Sequence, residues 1–83
     1  MPEVGDWVLL DVQADDGETD HWRGEIEEVR GQEVMISYNG MLESKTITVT
    51  KSDLLRPSKS EITNRLLVVV GPVWKLKFPI NDG

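Results

Sequence analysis

The feature that most restricts this chain is a two-residue alternation of apolar and polar side chains, interrupted by turn residues, that recurs between Trp22 and Thr50 behind a short apolar run at Trp7 to Val12. Successive side chains of a strand point to opposite faces, so a period of two argues for strands half buried in a sheet. Trp7 to Val12 is a β-prone run opened by Gly5-Asp6, and the polar Gln13 to His21 follows it as a long loop. Trp22, Gly24 and Ile26 alternate with Arg23, Glu25 and Glu27. The phase then slips at Glu27-Glu28, which predicts a bulge or sharp bend. Arg30-Gly31-Gln32 connects to Val34, Ile36 and Tyr38, which alternate with Met35 and Ser37. Asn39-Gly40, both tolerant of positive φ, turns the chain into a fourth strand over Lys45 to Thr50. Short connections favour an antiparallel meander, and the bend lets such a sheet curl into a small barrel without exposed edges.

Eighty-three residues suffice for one core. Ser52 to Pro57 leaves room for a single helical or 3₁₀ turn, and residues 58–65 for one or two helical turns or a polar link. Leu66 to Val70 reads as a buried strand. After Gly71-Pro72, Trp74, Leu76, Phe78 and Ile80 alternate with Lys75 and Lys77, so that residues 66–80 read as a second hairpin-like unit. That much apolar surface completes the barrel, packs on a partner or pairs two copies through residues 66–80. The expected domains are therefore a barrel over 4–57 and an extension over 58–83.

Cysteine is absent, which excludes disulfides and thiolate metal sites. No run approaches a membrane span and no signal peptide is recognisable, so the expectation is a soluble, intracellular, nuclear or cytoplasmic protein without a membrane partner. Residues 1–43 carry twelve acids against Arg23 and Arg30, whereas residues 44–83 carry seven bases against three acids. An acidic half disfavours phosphate backbones, and it either attracts a basic partner or serves only to keep the domain soluble. The lone histidine, His21, lies in an acidic loop, and no nucleophile–base pair is evident, so no enzyme and no cofactor are expected. Asp15-Asp16-Gly17-Glu18 lacks the ligand spacing of a calcium loop and reads as a solvated turn. The remaining candidates are Trp22 and Tyr38, placed at one end of the sheet. Two rings beside carboxylates can hold an ammonium or guanidinium by cation–π attraction, and rings at such positions also cover barrel cores.

The order Val4-Gly5-Asp6-x-Val8, Asp15-Asp16-Gly17, Trp22-Arg23-Gly24-Glu25-Ile26, Val34-x-Ile36-x-Tyr38 and Ser52-Asp53-Leu54-Leu55-Arg56-Pro57 resembles that of Tudor and Agenet domains. Within that group it most resembles the second Tudor-like repeat of the fragile X family. The resemblance covers residues 4–57 and implies an all-β, SH3-like barrel of about five antiparallel strands with a C-terminal strand extension. It also implies recognition of methylated arginine or lysine. A full cage in that family uses four aromatics and an asparagine. Here Trp22 and Tyr38 match two, while Val12, Met41 and Glu43 stand where others are expected, and Trp7 is a replacement ring or a core residue. The expected ligand surface is Trp22, Tyr38, Asn39, Met41 and Glu43 with Asp15 and Asp16, and the expected partner is a basic or methylated peptide. Gly5-Asp6-Trp7-Val8-Leu9-Leu10, Trp22-Arg23-Gly24 and Leu55-Arg56-Pro57 are also similar to the C-terminal domain of retroviral integrases. That likeness implies DNA or chromatin binding, for which the basic half offers Lys45, Lys51, Arg56, Lys59, Lys75 and Lys77; Glu25 and the net charge of −6 depart from it.

Overall fold

In the computed structural model, which describes residues 1–65 and 71–82, most of the chain lies in one curled sheet, a small all-β barrel with a single helix. Four consecutive strands form the expected meander: β1 Trp7–Gln13, β2 Thr19–Arg30, β3 Glu33–Asn39 and β4 Ser44–Thr50. A 3₁₀ turn at Lys51–Asp53 leads to the two-residue β5, Leu54–Leu55, and Ser58 then caps α1, Lys59–Asn64. Strands β6, Val73–Leu76, and β7, Ile80–Asn81, complete the order β4-β3-β2-β1-β6-β5, with β7 also paired to β1.

Strand β2 is long because it serves two neighbours. Its first half pairs with β1, Trp7 against Glu25 through Gln13 against Thr19. Its second half pairs with β3, and the register shifts between Ile26 and Glu28, where the sequence loses phase. The bulge bends the sheet, so the inward side chains of both halves meet in one core. Val8, Leu10, Ile26, Val34, Ile36, Tyr38, Trp74 and Leu76 are its buried centre, with Trp22 and Ile47 packed at its margin. Leu9 points to the other face and is nonetheless 1% exposed. That explains an unbroken apolar run at the start of an otherwise alternating pattern.

The single alternating run expected over residues 73–80 is divided into two strands, β6 and β7, and each runs parallel to β1, with Trp7 beside Val73 and Val12 beside Ile80. Strand β6 lies between β1 and β5, so β5 meets β6 rather than β1. The reason is apolar area: Val73, Trp74 and Leu76 are all buried in this position. The alternation proposed through Phe78 breaks at the bend before Pro79, leaving Phe78 43% exposed. The strand expected over residues 66–70 lies outside the described residues. Among those described, β4 and β5 do not pair, so the sheet curls without closing. No helix among them is long and apolar enough to cross a membrane.

Candidate functional site

The first and third turns of the meander meet β7 at one rim of the sheet. In the first, Gly17 adopts φ 88°, its N–H donates to Ala14 O at 3.0 Å, and Asp16 Oδ1 accepts the Glu18 N–H at 2.9 Å. Asp16 is thus committed to the turn, while Asp15 faces a groove of about 250 Å³ that also contacts Trp22, Val12, Asp20, Met41 and Asp82. Strand β2 begins three residues before the expected position, which carries Asp20 into a pair with Val12 beside the groove.

Trp22 and Tyr38 are neighbours, with ring centroids 6.1 Å apart and planes tilted by 47°. Their roles differ. Tyr38 is 6% exposed and belongs to the core, so its ring backs the indole rather than offering a face to a ligand. Trp22 is half-buried and lines the groove. Of the expected surface, Trp22, Met41 and Asp15 are gathered in that groove. Asn39 does not line that groove; it lies by two clefts with Arg23, one of which also touches Trp22 and the other Tyr38, and its Oδ1 accepts from Ser44 Oγ at 3.0 Å. Glu43 contributes its carbonyl to Gly40 N–H, at 2.8 Å, and its side chain stays exposed outside the groove.

Asp82 organises the rim from the far end of the chain. Its Oδ2 accepts the Met41 N–H at 3.0 Å and its Oδ1 meets Lys45 Nζ at 2.9 Å. The Met41 N–H, and then the Lys45 ammonium, hold the Asp82 carboxyl below the usual aspartate range. A Cβ on Gly40 would come within 2.6 Å of the same carboxylate, so glycine is required there by close approach. Gly40 is not among the glycines at positive φ, and the turn is therefore built differently from the one Asn39-Gly40 suggested. Asp15 and Asp20 form no ion pair among the described residues, so they are the carboxylates the groove presents to a cation.

Part of the basic half is committed to the fold. Lys45 pairs with Asp82, Lys75 with Glu61 at 2.8 Å and Arg65 with Asp11 at 2.6 Å, while the Arg56 guanidinium lies 3.9 Å over the Trp74 ring. Sequence reasoning also overlooked the outer face, where Arg23 stacks 4.7 Å over a half-buried Trp7. Among the described residues no cluster of three or more His, Asp or Glu is placed to hold a metal. No family model matches the chain, and no curated protein or solved structure is significantly similar to it.

Proposed function

We propose that this domain is a non-enzymatic protein-interaction module that receives a basic side chain, methylated or not, from an extended segment of a partner protein in the groove at Trp22. The supporting observation is the half-buried indole, backed by Tyr38 at 6.1 Å, in the same groove as Asp15 and Asp20. A cation over an indole gains about 0.5 to 2 kcal/mol, more as it loses water, and a nearby carboxylate adds a directed charge-assisted bond. The Tudor-type resemblance supports the same reading. Val12 and Met41, which stand where further cage rings are expected, line this groove with Trp22. One accessible ring in place of four makes the carboxylates the main attraction. Binding should therefore be weak and only modestly dependent on methylation.

The test is NMR shift perturbation with short lysine and arginine peptides, unmodified and methylated. Shifts should centre on Trp22, Asp15, Asp20 and Met41. Trp22→Ala should remove them while the remaining spectrum stays dispersed. Perturbations centred elsewhere, or binding unchanged in Trp22→Ala, would refute the assignment. Nucleic-acid binding through the basic half is the weaker alternative because Lys45, Lys75 and Arg56 already have partners within the chain. Its signature would be RNA or DNA affinity that falls steeply with salt.

A further inference from the structure

The curled sheet ends at β4, and among the described residues no strand lies along that strand's outer edge. Which main-chain groups the edge offers follows from two hydrogen bonds at its ends. Gly40 N–H donates to Glu43 O and Lys51 N–H to Gln32 O, each at 2.8 Å. With Ser44 opposite Asn39 and Thr50 opposite Glu33, residues 43, 45, 47, 49 and 51 direct their amide and carbonyl groups toward β3. Ser44, Thr46, Thr48 and Thr50 therefore point theirs away. Thr50 N–H is taken by Asp53 Oδ2 at 2.9 Å, and Ser44, Thr46 and Thr48, all exposed, keep theirs toward solvent. Edges of this length are ordinarily protected by proline, a bulge or a charge. Strand β4 has no proline, its pairing with β3 has no register shift, and its one charge, Lys45, is turned to Asp82.

We propose that β4 pairs antiparallel with β4 of a second copy, about a two-fold axis through Ile47. That register sets Thr46 against Thr48 of the second copy, with their outward amides and carbonyls bonded reciprocally. Ile47, only partly buried at the margin of the core, meets its own counterpart. At both ends Glu43 comes opposite Lys51 of the second copy, and neither residue has an ion-pair partner among the described residues. The neighbouring registers are worse: an axis at Thr48 opposes Lys45 to Lys51, and an axis at Thr46 opposes Lys45 to Ile47. Self-complementarity of hydrogen bonds, apolar contact and charge in one register is what an isologous interface requires.

Sedimentation equilibrium of the full chain over a concentration series tests this. The weight-average mass should rise from one toward two chain masses. Thr48→Pro removes an outward N–H and no β3–β4 ladder bond, so it should keep the circular dichroism spectrum and remain monomeric. Lys51→Glu should weaken association on the order of tenfold, by converting two attractive contacts into repulsive ones. Adding Glu43→Lys to Lys51→Glu should restore it. A chain monomeric at every concentration overturns the proposal, as does a dimer indifferent to Lys51→Glu or not rescued by the double exchange. Those charge variants decide the matter even where Thr48→Pro fails to fold.

Discussion

Asp6 is 7% exposed, and its Oδ2 accepts both the Glu3 N–H at 2.9 Å and the Trp74 indole N–H at 3.0 Å. The guanidinium of Arg56 lies over the face of the same indole. The Gly-Asp opening and the Leu-Arg-Pro close of the early motif thus converge on one ring supplied by the C-terminal segment. Asp6→Ala should lower unfolding free energy by about 1.5 to 3 kcal/mol, since it leaves a buried indole N–H and a turn amide without their charged acceptor. A urea titration reads this as an earlier midpoint with the slope retained. A change below about 0.5 kcal/mol would show that water replaces the carboxylate. Asp6 was legible in the sequence as a turn residue, but its partner sixty-eight positions away was not. Gly24 shows the same limit: the alternation puts it on the inward face, yet only the packed sheet shows why. A Cβ there would meet Ser37 O at 2.7 Å and Ile36 Cγ2 at 2.8 Å.

Strands β2, β3 and β4 were legible as elements because each has one wetter and one more buried face, which a period of two records directly, whereas β1, buried on both faces, was legible as a β-prone apolar run between turn signals. Loss of phase at Glu27-Glu28 marked the bulge for the same reason. Helix α1 was open to two readings because six residues are too few to hold a helix by themselves. A capping box, in which Ser58 Oγ accepts the Glu61 N–H at 3.2 Å, starts it, and ion pairs fasten its two ends to the sheet. One of these is Asp11 with Arg65, shared with His21 Nδ1 at 2.9 Å. Partial burial pushes the Asp11 pKa up, but the hydrogen bonds from His21 and Arg65 and their charges outweigh it, and the net shift is downward. A carboxyl lowered in the folded state contributes stability that is complete above its unfolded pKa, near 4, and is lost as pH falls through the folded value. Acidification below about pH 4 should therefore weaken the α1 attachment, and Asp11→Asn should flatten that part of the stability profile. Urea midpoints at several pH values measure both. Parallel profiles for the two chains would show that Asp11 carries none of the dependence.

At the scale of the molecule, the core is shared between the meander and the C-terminal segment, which supplies Trp74 and Leu76. Strand β6 has a neighbour on each side, and β7 brings Asp82 to the loop that positions Met41. The site divides along the same line. Trp22, Met41 and Asp15 were legible from alternation and motif order, whereas Asp20 and Asp82 depend on how far β2 extends and where β7 docks, which no local pattern encodes. The energetic consequence can be estimated. Burial of Val73, Trp74 and Leu76 contributes roughly 1.5 to 3 kcal/mol each. Together that is about 5 to 9 kcal/mol, comparable with the whole net stability of roughly 5 to 15 kcal/mol expected of a small domain. A chain ending at Pro57 would also leave Asp6 without its indole partner and Val8 and Leu10 uncovered along β1. It should be unfolded in water, with a collapsed amide spectrum. A chain ending at Phe78 keeps β6 and should retain the strand signature, but without Asp82 it should lose ligand shifts at Met41. Dispersed amide resonances from the chain ending at Pro57 would mean that the first five strands close by themselves, with β6 added to a barrel that does not need it.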